Sequence, residues 1–191
     1  NWKLSYKTTK IDVTAFGASG DGSTLDTASI NRAIETCASQ GGGQVRFPPG
    51  QYRSGTVVLR SHVTLRFEAG ARLLGTSDLS QYQSFLPSEA EGSRWHRALV
   101  LGVDVEDVAL VGEGEIDGQC VFDPQGEENL RGPHAVVIGG ARNVSIRGIS
   151  FVNAANYAIL FKHADQVDVR DVTIRGGWDG VHFRGTVNRY C

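Results

Sequence analysis

The strongest constraint on this chain is that its second half repeats itself. When "AVVIGGARNVSIRGISFVNAAN" from Ala135 is laid over "AILFKHADQVDVRDVTIRGGWD" from Ala158 and "GVHFRGTVNRYC" from Gly180, the successive offsets are 23 and 22 residues. Apolar residues stay in step: Val136, Ile159 and Val181; Ile138, Phe161 and Phe183; Val144 and Val167; Ile146 and Val169. "ALVLGVDVEDVALVGEGEIDG" from Ala98 fits the same template. A period of this length marks supersecondary units that bury a core only against their neighbours. Each unit holds two or three short alternating runs and almost no helix, so the expected fold class is all-β: a right-handed single-stranded parallel β-helix. Glycines are expected at the corners between its faces.

A stack of coils has two open ends, and an open end exposes unpaired strand N–H and C=O groups. In "DTASINRAIETCASQGGG" the residues Ile30, Ala33, Ile34, Cys37 and Ala38 recur at helical spacing, with Asp26 or Thr27 as N-cap and Gly41 as the stop. This predicts one amphipathic α-helix over about residues 26–39, placed to cap the first end. The 191 residues read as one domain, 1–191, that stops at Cys191 partway through a repeat. The expectation is the front portion of a longer β-helix, or a stack completed by a second chain or by self-association through its last coil.

Composition excludes several partners. A formal net charge of -2 gives no long-range pull toward nucleic acid or an anionic membrane. No apolar run approaches the ~20 residues of a membrane span, and the start "NWKLSYKTTK" lacks the apolar core of a signal peptide. Cys37, Cys120 and Cys191 are too scattered for a disulfide framework or a zinc site, and Cys37 reads as helix core.

The stretch "GGWDGVHFRG" concentrates the candidate chemistry. Asp179 is either an Asp–Gly turn residue or a catalytic carboxylate. Val181 and Phe183 take the inward strand parity, so His182 and Arg184 are expected to face out beside it, and Lys162, in register with Arg184 one repeat earlier, extends the basic stripe. Tyr157 and Trp178 are expected at nearly equivalent places in successive coils. Two inserts interrupt the repeat, at 82–98 and 120–133, and should border a groove. Their acids Asp123, Glu127 and Glu128 read as solvated. "NVS" at 143–145 is a glycosylation sequon, but Val144 belongs to a repeated strand, and the ordinary strand reading is preferred.

Three longer stretches resemble glycoside hydrolase family 28, the polygalacturonase-like enzymes of the pectate-lyase-type β-helix superfamily. "DVTAFGASGDGSTLDTASINRAIETCASQGGGQVRFPPGQY" resembles an entry module shared with lyases, epimerases and phage tailspikes. "SGTVVLRSHVTLRFEAGARLLGTSDLSQY" is similar to the second segment of the family 28 enzymes, and "RGPHAVVIGGARNVSIRGISFVNAANYAILFKHADQVDVRDVTI" resembles their central coils. The family's Asn-Thr-Asp-Gly corresponds to Gly177-Trp178-Asp179-Gly180, which keeps the Asp and changes its two neighbours. The family's Asp-Asp pair, Gly-His-Gly and Arg-x-Lys do not occur in these residues.

The resemblance implies inverting hydrolysis of glycosidic bonds in pectin-like or other acidic polysaccharide, without metal or cofactor, in an extracellular or periplasmic setting. Such chemistry needs an acid and a base carboxyl roughly 6.5–9.5 Å apart, and strands of adjacent coils lie about 4.8 Å apart, so acids on neighbouring coils reach that spacing. By resemblance Asp179 would position or deprotonate the water. His182, Arg184 and Lys162 would meet a sugar carboxylate or hydroxyl, for which Arg has the better fork. Trp178 and Tyr157 would each be a stacking platform for a pyranose or a packed corner hydrophobe, and Trp95, His96 and His134 are weaker candidates for sugar contacts. Two other readings stay open: a polysaccharide lyase or epimerase on the same fold, and a non-catalytic binding or structural β-helix, since one aspartate cannot be both acid and base.

Overall fold

A computed structural model describes residues 9–87, 90, 92–185 and 188–190. Cys191 and the first eight residues lie outside the described residues. The chain winds as a right-handed parallel β-helix whose strands stack into three parallel sheets. The first sheet runs Thr9–Asp12, Gly43–Phe47, Val63–Phe67, Glu106–Gly112, Arg142–Arg147, Asp165–Arg170 and Asn188–Tyr190. Asp21–Leu25, Gly50–Ser54, Ala71–Gly75, Glu115–Asp117, Ser150–Val152 and Thr173–Arg175 form the second. The third contains Val57–Val58, Arg97–Val103, His134–Gly139, Ile159–Lys162 and Val181–Arg184, with Gln83–Ser84 added antiparallel beside Arg97–Val103.

Registers follow the predicted repeat. Val136 pairs with Ile159 and Ile159 with Val181 in the third sheet. Leu65, Leu110, Ile146 and Val169 form one inward ladder in the first, and Tyr52, Leu73, Ile116, Phe151 and Ile174 another in the second. Phe47 lies on Phe67 with ring centroids 4.3 Å apart, and Phe161 on Phe183 at 5.2 Å. Each coil buries its side chains on like side chains above and below, which is why the core is one continuous cluster.

The helix α1, Thr27–Ser39, buries Ile30, Ala33, Ile34 and Cys37 against the first coils, as its spacing predicts. Asn31 also completes an edge: its Nδ2 donates to Thr56 O and its Oδ1 accepts from Val58 N, each at 2.9 Å, replacing a strand partner for Val57–Val58. Asp26 holds the preceding loop through Ser19 N and Gly20 N, rather than capping the helix by its side chain.

The corners depart from expectation. Between the third and first sheets the left-handed position is held by Asp104, Gly140, His163 and Gly185 in successive coils, with φ from 51° to 73°. Only two of the four are glycine, because Asp and His also tolerate this conformation at a turn.

Candidate active site

The outer face of the third sheet carries a column of residues in register. Ala98, His134, Tyr157 and Asp179 occupy equivalent positions from coil to coil: Ala98 pairs with His134, and the backbone bonds Ala135 N to Tyr157 O and Ala158 N to Asp179 O continue the series. Tyr157 is therefore equivalent to Asp179, and Trp178 follows Asn156, whose carbonyl accepts from Trp178 N at 3.2 Å. Tyr157 and Trp178 are thus nearly equivalent, as expected, but one position apart, since the repeat here is 22 residues and Trp178 follows Tyr157 by 21.

Asp179 is exposed, its side chain 52% accessible, and its Oδ2 is 2.8 Å from His182 Nδ1. Arg184 Nε donates to His182 Nε2 at 3.3 Å. Nε2 is thus the lone-pair nitrogen, and Nδ1 carries the proton that His182 donates to Asp179. Below, the His182 ring stacks on Tyr157 with centroids 4.9 Å apart and planes 15° apart. Tyr157 is only 8% accessible and belongs to an apolar cluster with Ala98, Leu101, Val137 and Leu160, against which Phe85 and Trp95 pack. Of its two expected roles the packed one fits: Tyr157 supports His182 and offers no free face.

His182 and Arg184 do face outward, while Phe183 points in and stacks on Phe161. Lys162 pairs in register with Arg184. Arg184 lies over the Trp95 ring, its guanidinium carbon 4.5 Å from the centroid, and Lys162 Nζ donates to His96 Nε2 at 2.8 Å and sits 5.2 Å from the Phe85 centroid. Burial, together with the Arg184 charge, holds the Lys162 ammonium below its ordinary value. Trp178 is 45% exposed and turned away to the second insert, with the Arg131 guanidinium carbon 3.6 Å from its centroid. It borders a cavity of about 270 Å³ with Cys120, Val121, Phe122 and Leu130.

The two inserts, expected to border a groove, are tied to each other. Arg94 makes two 2.6 Å hydrogen bonds to Asp123, whose side chain is 3% accessible, so the expectation of a solvated Asp123 is wrong. Burial opposes ionisation of Asp123, but the Arg94 bonds prevail and keep its carboxyl below the usual range. Glu127 accepts from Trp95 Nε1, and Glu127 and Glu128 both pair with Arg131. A cleft of about 410 Å³ between the inserts is lined by Arg94, Trp95, Gln125, Glu127 and Arg184. Adjacent aromatic and basic residues in "SRWHRA" were the only signal that this insert returns to the groove.

His134 is fully buried and is not a sugar contact. Its Nδ1 accepts from Tyr157 N at 3.1 Å, and its Nε2 donates to Trp95 O at 2.7 Å, pinning the first insert to the coil. Burial pushes its pKa down to about 3, so it stays neutral. His96 is 8% accessible and is held below its ordinary value chiefly by burial; its Nδ1 donates to Gly92 O. At the corner before the first sheet, His62, Glu106 and Asp107 bring ligand-type atoms within 4.8 Å of one another, but Arg142 and Asn143 already partner the two acids. Asn143 of the sequon is exposed and spends its amide on Asp107 at 2.6 Å, while Val144 is buried.

Comparison with known proteins finds similarity to polygalacturonases and to other proteins of the parallel β-helix fold. The family model for rhamnogalacturonase A/epimerase, pectate lyase-like, matches residues 10–190. A protein named probable polygalacturonase from Vitis vinifera is 26% identical over 185 residues, covering 90% of this chain and 38% of the relative. The exo-poly-alpha-D-galacturonosidase of Dickeya chrysanthemi is 32% identical over 117 residues, covering 56% and 19% respectively. The Yersinia enterocolitica family 28 exopolygalacturonase superposes with a TM-score of 0.76 at 22% identity, over 93% of this chain and 41% of that one. The chain spans less than half the length of these curated relatives.

Proposed function

The chain belongs to the rhamnogalacturonase A/epimerase, pectate lyase-like family, and from that premise we propose that it serves a glycoside hydrolase cleaving pectin-like acidic polysaccharide with inversion. One observation carries the reading: Asp179 stands exposed on the outer face of the third sheet, oriented by His182 and flanked by Arg184 and, one coil below, Lys162. An exposed carboxylate fixed by a neutral imidazole can orient or deprotonate a water, and two cations beside it suit the carboxylate of a uronate. Among the described residues no second carboxyl shares a hydrogen bond or ion pair with Asp179, His182 or Arg184, so the acid has no assigned residue. Trp178 reshapes the approach to Asp179 by standing against the second insert. Because the substrate is a cell-wall-type polymer, we place the protein outside the cytoplasm; among the described residues no helix is long and apolar enough to cross a membrane. Val181 and Phe183, inward-pointing yet each 38% accessible, would also allow association with a second copy or chain at that coil.

The Asp179–His182 hydrogen bond supports a second reading, in which His182 takes a proton from a uronate, as a lyase or epimerase requires. Incubating the protein with polygalacturonate and following products by NMR separates them. New reducing ends of inverted anomeric configuration support hydrolysis. An unsaturated sugar or a changed C5 configuration supports the second reading, and no product returns the groove to binding alone.

A further inference from the structure

We infer that the 82–98 insert positions the Lys162–Arg184 pair, with His96 and Trp95 holding the two cations so that the groove selects a sugar carboxylate over its neutral ester. This rests on the reading that the groove takes an acidic polysaccharide.

Lys162 and Arg184 are direct neighbours in the ladder, and like charges facing each other across a strand pair destabilise it. Many arginines among the described residues are relieved by carboxylates, as Arg46 is by Asp12 and Glu68, and Arg147 by Asp168. Among the described residues no carboxylate pairs with Lys162 or Arg184. The partners they have are neutral. Lys162 donates to the lone pair of His96 Nε2, and His96 is fixed in that tautomer because its Nδ1 donates to Gly92 O at 2.8 Å. Arg184 rests on the Trp95 face and donates to the lone pair of His182 Nε2.

These contacts restrict geometry without cancelling charge, whereas an acid in place of His96 would do both. The insert is itself pinned by His134 to Trp95 O, by Arg94 to Asp123, and by Phe85 lying over Gly139, where a Cβ would meet the phenyl ring at 2.1 Å. The arrangement leaves two positive groups fixed side by side for one anion on the substrate, and a methyl ester would not relieve them.

The test is calorimetric titration of the protein with tri-galacturonate and with its methyl ester at one ionic strength. His96→Ala should weaken acid binding by about tenfold or more, the scale of a hydrogen bond to a charged group, and leave ester binding unchanged. His96→Gln, whose amide oxygen can accept from Lys162, should restore most of the loss. Equal losses for acid and ester, or no rescue by His96→Gln, would overturn the inference. If His96→Ala does not fold, ¹⁵N NMR of the unaltered protein reads the same point: Nε2 of His96 must be unprotonated and Nδ1 protonated, and the reverse overturns it. A protein that binds acid and ester alike defeats the acidic-substrate reading itself, whereas an acid preference that survives in His96→Ala defeats only the role of the insert.

Discussion

Asp179 sits one rung above Tyr157 in the outer column of the third sheet, and His182 joins them, its ring flat on the phenol at 4.9 Å and its Nδ1 2.8 Å from the carboxylate. The acid is exposed, but its orientation is inherited from a buried aromatic in the coil below. A turn residue needs no such scaffold.

Replacing Asp179 by Asn preserves its size and its contact with His182 while removing the charge. In the whole protein Asp179→Asn should cut kcat by about 100-fold or more, the scale of lost acid–base help, with circular dichroism and melting unchanged. Near-full turnover would return Asp179 to an ordinary corner role.

The buried His134 predicts an acid-sensitive insert. Its folded pKa of about 3 lies below the unfolded value near 6.5. Between those values the unfolded chain binds the extra proton, so its contribution is complete above pH 6.5 and lost as pH falls, by about 1.4 kcal/mol per unit. Urea unfolding of the protein and of His134→Gln should show a stability difference that is constant above pH 6.5 and narrows steadily below it. A pH-independent difference would contradict the assignment.

The Arg94–Asp123 pair predicts local opening. Asp123→Ala leaves a partly buried guanidinium unpaired, at a cost of about 1–3 kcal/mol. The loss should fall on the inserts, so proteolytic cleavage within 82–98 should accelerate while the coils remain protected. Cleavage at an unchanged rate would show that the other contacts, among them His134 to Trp95 O and Lys162 to His96, suffice to fix that segment.

The coils were legible because their inward positions need similar shapes at a constant interval, and Val136, Ile159 and Val181 satisfy that locally. The outward parity of His182 and Arg184 followed from the same alternation. Tyr157 and Trp178 come out one position apart, as nearly equivalent residues, because the repeat from Tyr157 to Asp179 is 22 residues and the length of the corner before the strand is not encoded in the apolar ladder. The corners themselves were half legible: Gly140 and Gly185 announced a left-handed turn, and Asp104 and His163 did not. The inserts carry no period at all. That Arg94 finds Asp123 across 29 residues, or His96 finds Lys162 across 66, depends on the finished surface beneath them.

Both inserts leave the coil at one edge, between the second-sheet strands Ala71–Gly75 and Glu115–Asp117 and the third-sheet strands Arg97–Val103 and His134–Gly139 that follow them. The ladders forbid a change of length within a strand, but this seam tolerates long detours. Specificity can therefore be redrafted by exchanging what overhangs the trough while its floor stays the same, which makes the seam the natural place to graft a different wall.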